Sequence, residues 1–130
     1  VPHEVINEIF RYEKLENNYI KEELGKFIKE VNIKNSIEFP IQIDSGEKAA
    51  LSLCINKKIN FFLSDDKKAR NYARSLEINT IGVLGVILEN LKGKKITKQE
   101  TELLIKELIR CDYYMSPALH EEIRDILDSV

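Results

Sequence analysis

Short apolar runs alternating with helix-length amphipathic stretches predict an α/β fold: a short parallel sheet with helices on both faces. Three observations carry this. Ile59-Asn60-Phe61-Phe62-Leu63 and residues 78–83 are apolar and too short for several helical turns, so both read as buried strands. Residues 67–76 between them return to helical period through Ala69, Tyr72, Ala73 and Leu76. The chain has 130 residues, 43% hydrophobic and 32% charged, which suits one compact domain. No repeat, low-complexity tract or Pro/Gly/Ser linker divides it.

The elements follow in order. Pro2 opens a first helix over residues 2–15, where its missing N–H costs nothing and Val5, Ile6, Ile9 and Phe10 make one stripe. A second helix covers residues 18–31, with Ile20, Leu24, Phe27 and Ile28 as its apolar face. Residues 32–43 are extended or irregular, because Pro40 forbids a helix through them. Asp44-Ser45-Gly46-Glu47 has capping-box spacing and opens a helix running to residue 56 through Ala49, Ala50, Leu53 and Cys54. Ser64-Asp65-Asp66 ends the first strand, and Gly82 and Gly85 bracket the end of the second. Val86, Ile87, Leu88 and Leu91 form the next helix, and Lys92-Gly93-Lys94-Lys95 turns the chain. Thr97-Lys98-Gln99-Glu100 is a second capping box, starting a helix that buries Leu103, Leu104, Leu108 and Ile109. Tyr113-Tyr114-Met115 is a last short strand, its two tyrosines packing residues. Ser116-Pro117 then supplies the N-cap and first residue of a closing helix through Leu119, Ile123, Ile126 and Leu127.

Composition excludes several function classes. Lys plus Arg is 20 and Asp plus Glu 22, a net charge of −2, which does not fit a protein coating nucleic acid by bulk charge. No apolar run approaches the roughly 20 residues of a membrane span. Cys54 and Cys111 lie far apart and read as reduced core thiols of a cytoplasmic protein. His3 and His120 have neither metal-ligand nor triad spacing and read as surface residues. Gly82-Val83-Leu84-Gly85 lacks the Lys and Ser/Thr of a phosphate loop and the glycine spacing of a dinucleotide fold. The start, Val1-Pro2-His3-Glu4, has no secretory signal and no initiating Met, as in a processed or truncated product.

Ligands of open parallel sheets bind beyond the carboxyl ends of the strands, which directs attention to Asp65 and Asp66 after Leu63. Two adjacent carboxylates there suit Mg²⁺ or Mn²⁺, which prefer carboxylate and water oxygens. Capping of the following helix accounts equally for one of them, so both readings stand. Taken singly, Glu47 is a capping-box residue, Asp44 an N-cap and Glu8 a solvated carboxylate on an amphipathic helix. Lys57, Lys58, Lys67, Lys68, Arg70 and Arg74 flank the Asp pair in sequence. Such a run is commonly a solvated face, and beside an acidic metal site it can also hold a phosphodiester backbone.

Four stretches and a tail, in order, resemble the PIN domain, in the branch of predicted nucleic-acid-binding proteins similar to the ribonucleases of toxin–antitoxin pairs. They are Val1-Pro2-His3-Glu4-Val5-Ile6-Asn7-Glu8-Ile9, Asp44-Ser45-Gly46-Glu47-Lys48-Ala49-Ala50-Leu51, Leu63-Ser64-Asp65-Asp66-Lys67-Lys68-Ala69-Arg70, Ile81-Gly82-Val83-Leu84-Gly85-Val86 and Tyr114-Met115-Ser116-Pro117-Ala118-Leu119. The resemblance covers essentially the whole chain and implies a single three-layer PIN-like domain over residues 1–130. It implies an acidic site of Glu8, Glu47, Asp65 and Asp66 holding Mg²⁺ or Mn²⁺, hydrolysis of single-stranded RNA by activated water, and RNA contacts from Lys67, Lys68 and Arg70. An antitoxin protein is the partner this implies. Two departures stand out: the family's first strand, which ends in a metal-binding Asp, is absent, and Ala49 stands where related sequences often carry an acid. Loss of that strand leaves open sheet edges that invite pairing with another chain, here a second copy.

Three readings therefore remain: a metal-dependent ribonuclease, a non-catalytic PIN-like module binding RNA or protein, and an α/β domain whose Asp pair only caps a helix. Convergence of Glu8, Glu47 and Asp66 separates them.

Overall fold

The computed structural model describes residues 1–11 and 16–130, with only the backbone of residues 16 and 17. These residues form two compact units, residues 1–81 and 82–130, each considered by itself. Among the described residues there are seven helices and one two-stranded parallel sheet, a mixed α/β architecture.

The first unit contains α1 (His3–Phe10), α2 (Glu16–Glu23), α3 (Ser45–Lys57), β1 (Phe61–Leu63), α4 (Lys67–Ser75) and β2 (Asn79–Ile81). The strands pair in parallel with Phe61 opposite Asn79, Phe62 opposite Thr80 and Leu63 opposite Ile81. Alternation along β1 turns Phe62 into the core, where Leu51 and Cys54 of α3 and Ala69 and Ala73 of α4 pack with it. Phe61 and Leu63, on the opposite face, stay 46% and 64% exposed. The two alanines of α4 carry no bulk, so they let that helix lie close to the sheet. Ser52, fully buried on α3, accepts a 3.0 Å hydrogen bond from the Ile37 N–H, tying the irregular stretch before α3 to the core. An apolar cavity of about 270 Å³ is lined by Val5 of α1, Ala50 and Leu53 of α3, and Phe61 and Leu63 of β1.

The second unit contains α5 (Val83–Lys92), α6 (Lys98–Arg110) and α7 (Pro117–Asp128) around Leu84, Ile105, Met115 and Ile123. The Thr97–Glu100 capping box is formed, with both reciprocal bonds present. Ser116 caps α7 by accepting from the Leu119 N–H, and Pro117 takes its first turn.

Several expectations need correction. The second helix stops at Glu23 rather than reaching residue 31, because Gly25 adopts φ +84°, a left-handed conformation that ends a helix. Phe27 is consequently 89% exposed instead of lying on an apolar helix face. Tyr113, Tyr114 and Met115 form no strand. Asp112 turns left-handed after α6, Met115 enters the core and Tyr114 points outward at 82% exposure. Cys111 is exposed at the end of α6, while Cys54 is buried as expected. On α6 the buried positions are Thr101 and Ile105, whereas Leu103, Leu104 and Ile109 are exposed. The first helix is described only as far as Phe10, and residues 12–15 of its expected span lie outside the described residues.

Phe62 supports both the strand and the helices that carry the acids discussed below. Phe62→Ala is expected to lower stability by about 3–5 kcal/mol, read as a fall in the urea midpoint at unchanged slope.

Candidate functional site

The acids foreseen from sequence sit at two helix N-termini in the first unit. At the start of α3, Asp44 has the extended backbone of an N-cap, yet its side chain makes no capping hydrogen bond. That role passes to a different element. Glu8, in the last turn of α1, accepts a 3.0 Å bond from the Gly46 N–H and a 3.3 Å bond from the Ser45 hydroxyl, both through Oε1. The carboxylate therefore caps α3 from outside, where the helix dipole favours negative charge. The expected Asp44–Glu47 capping box is not formed: Asp44 makes no side-chain cap, and the Glu47 carboxylate accepts from its own backbone N–H.

Gly46 makes this approach possible. A Cβ at that position would lie 2.6 Å from Glu8 Oε2 and 2.7 Å from Oε1. The glycine thus fixes the carboxylate's position by having no side chain, as close backbone approaches require.

At the end of β1, Asp66 caps α4, its Oδ1 accepting from the Ala69 N–H at 2.6 Å. Ser64 Oγ in turn accepts from the Asp66 N–H at 3.0 Å. Asp65 is turned toward Arg70, whose Nη1 lies 3.9 Å from its Oδ1. Arg70 Nη1 also donates to the Ser64 carbonyl at 3.1 Å, so this arginine braces the loop that presents the two acids. Lys67 and Lys68 are exposed in the first turn of α4 and form no ion pair among the described residues.

Glu47 links the two helix ends. Burial pushes its carboxyl above the ordinary glutamate value, the negative charges of Glu8, Asp44 and Asp66 push the same way, and a bond to its own backbone N–H opposes them. Glu8, Asp44 and Asp66 therefore all act on the Glu47 carboxyl.

Hard carboxylate oxygens are the donors Mg²⁺ and Mn²⁺ prefer, and a raised carboxyl among like charges is a place where a cation is favoured. Among the described residues, however, no three His, Cys, Asp or Glu side chains are grouped so as to hold one ion. Glu8 and Asp66 each spend an oxygen on helix N–H groups. The donors accordingly fit a largely hydrated ion touched by one or two carboxylates, not an ion enclosed by protein. Glu4 adds an acid that the sequence analysis passed over: its Oε2 is buried without a hydrogen-bond partner, one turn before Glu8 on α1. The i, i+4 spacing of Glu4 and Glu8 was the signal available for it.

A family model described as a PIN domain matches residues 1–129. No curated protein and no solved structure matches the chain. No helix among the described residues is long and apolar enough to cross a membrane.

Two variants probe this geometry. Gly46→Ala replaces a poor helix former but displaces the Glu8 carboxylate. Stability is expected to stay within about 1 kcal/mol, since the propensity gain and the lost hydrogen bonds are of similar size; any activity dependent on Glu8 should fall as it does in Glu8→Gln, and melting curves and activity measured together check both. Glu47→Gln addresses the raised carboxyl. An acid whose folded pKa is raised favours the folded state when protonated, and that contribution disappears as pH rises through the folded value. Glu47→Gln should therefore melt above the unsubstituted protein at neutral pH, with the gap closing as pH falls through the raised folded value to the ordinary glutamate value.

Proposed function

We propose that this chain, which belongs to the PIN-domain family, is a divalent-metal-dependent ribonuclease acting on single-stranded RNA through Glu8, Glu47 and Asp66. PIN domains are generally nucleases. The observation that carries the reading to particular residues is the placement of Glu8 on the Gly46 N–H, next in sequence to Glu47; the raised Glu47 carboxyl, on which the charges of Glu8, Asp44 and Asp66 act, supports it.

Each residue has a part in this reading. Glu8 and Asp66 are held in position by the N–H groups of α3 and α4, so their orientation does not depend on a bound ion. Glu47 is the acid that burial and the neighbouring negative charges hold above the ordinary glutamate value, so a cation beside it would favour its ionised form. A Mg²⁺ or Mn²⁺ ion there supplies an activated water and offsets the charge that develops on the phosphodiester. Lys67 and Lys68, exposed beside Asp66, draw the polyanion toward a site that would otherwise repel it. Asp65 stands beside Asp66 as a further acid of the site, and Arg70, which donates to the Ser64 carbonyl and lies 3.9 Å from Asp65, is a further cation for the RNA backbone. The likeness to toxin ribonucleases extends the proposal to a cytoplasmic toxin with an antitoxin protein as its partner.

One observation favours a second reading, a non-catalytic PIN-like module that binds RNA or protein: no group of three acids is arranged to hold an ion among the described residues.

Cleavage of labelled single-stranded RNA decides between them, run with Mn²⁺, with EDTA, and with Asp66→Asn. Asn caps a helix about as well as Asp, whereas Ala at an N-cap costs about 1 kcal/mol. Asp66→Asn is therefore expected to keep the melting temperature and lose cleavage to the level seen in EDTA, while Asp66→Ala also melts earlier. RNA binding without metal-dependent cutting, in a folded protein, would establish the module instead.

A further inference from the structure

The second unit carries a cluster of positive charge that the acidic site does not use. Between Asn90 and Glu100 the chain has four lysines, Lys92, Lys94, Lys95 and Lys98, and no acid. Lys92 lies in the last turn of α5, where a cation offsets the helix dipole, and it pairs with Glu89 at 3.0 Å. That ordinary role does not extend to Lys94 and Lys95, which follow the Gly93 C-cap.

The turn holding them is fixed by its backbone. The Lys94 N–H donates to the Leu91 carbonyl at 3.0 Å and the Lys95 N–H to the Asn90 carbonyl at 2.9 Å. Lys94 occupies the left-handed region at φ +54°, a conformation that glycine adopts freely and a lysine only at a cost. Backbone geometry thus gives no reason for a lysine there.

Lys94, Lys95 and Lys98 line a cavity of about 350 Å³ whose apolar walls are Leu91, Ile96 and Val130. That is the scale of a small-ligand pocket. Its acid, Glu100, is engaged: its carboxylate accepts from the Thr97 N–H at 2.7 Å, and its bonds to Thr97 hold its pKa below the ordinary value. Lys98 is 3.7 Å from Asp128, while Lys94 and Lys95 have no ion pair among the described residues. The first N–H groups of α6 are already served by the capping box, so the attraction available to a ligand comes from the ammonium groups.

We infer that this lysine-lined cavity is a phosphate-binding subsite that holds the backbone of single-stranded RNA. The inference rests on the reading of the chain as a protein that acts on RNA, and the subsite lies wholly within residues 82–130. Ammonium groups on flexible stems contact phosphates without reading bases, so the subsite contributes affinity and not sequence preference.

Anisotropy of a labelled single-stranded RNA, titrated in EDTA across a series of KCl concentrations, tests this without cleavage. Each phosphate contact to a single strand contributes about 0.7 to the slope of log K against log salt, so Lys94→Ala/Lys95→Ala should lower the slope by about 1.4 and weaken binding most at low salt. Lys106→Ala/Arg124→Ala removes equal charge from exposed positions outside the cavity and should leave the slope unchanged. Lys94→Arg/Lys95→Arg should restore it, and all variants should melt with the unsubstituted protein. An unchanged slope in the alanine pair, equal losses in both double variants, or no RNA binding by the unsubstituted protein would overturn the inference. Displacement of RNA by polyglutamate at equal charge, or binding of inorganic phosphate alone with no RNA bound, would overturn it in favour of an acidic protein or a free anion. A slope change at Lys94 and Lys95 together with no Mn²⁺-dependent cleavage would count against the ribonuclease and leave the subsite standing.

Discussion

The capping of α3 by Glu8 is the constraint on which the acidic site depends. One carboxylate joins α1 to α3, accepts from the Gly46 N–H and the Ser45 hydroxyl where Asp44 makes no cap, and carries negative charge to the neighbourhood of Glu47. It can do so only because residue 46 has no side chain. Tertiary contact, local helix termination and charge placement are therefore one interaction, and a change to any part of it moves the others.

Concentrating acids is costly unless something offsets their repulsion. Here the offset comes largely from helix ends. Glu8 lies against the first N–H groups of α3 and Asp66 against those of α4, each where partial positive charge accumulates. Phe62 and the alanines of α4 hold β1 and α4 together in the same core as α3. Capping and function are consequently not rival accounts of these residues: a carboxylate that caps through one oxygen is also a carboxylate held at a fixed place.

Legibility of this arrangement in the sequence followed the range of the interactions. Asp66 was readable because its cap is local, an acceptor followed three residues later by the N–H it takes. The Thr97 and Ser116 caps were readable for the same reason. Glu8 became a candidate only through the family resemblance, because its partners lie 37 and 38 residues away and no periodicity encodes such a distance. Asp44 misled because its spacing to Glu47 satisfies a local rule that these side chains do not use: Asp44 makes no side-chain cap, and the Glu47 carboxylate accepts from its own N–H. A glycine in the first turn of a helix was the one local sign of a close approach. The end of α2 was missed because apolar spacing continued past Gly25, and the third strand because an apolar Tyr-Tyr-Met run does not distinguish a strand from a loop with one buried residue.

Glu8, Glu47 and Asp66 are not equivalent. Glu8 and Asp66 have N–H donors from helices they cap, while Glu47 has its own backbone N–H and receives the charge of the others together with partial burial. Burial, with the added repulsion of the neighbouring acids, is therefore expressed at Glu47 as a carboxyl raised above the ordinary glutamate value. The same asymmetry accounts for the absence of a three-acid cage among the described residues: two of the acids are oriented by helices before any ion arrives. Neutralising any one of these charges therefore acts on the site through Glu47, whose protonation is the pH-sensitive element of the acidic neighbourhood.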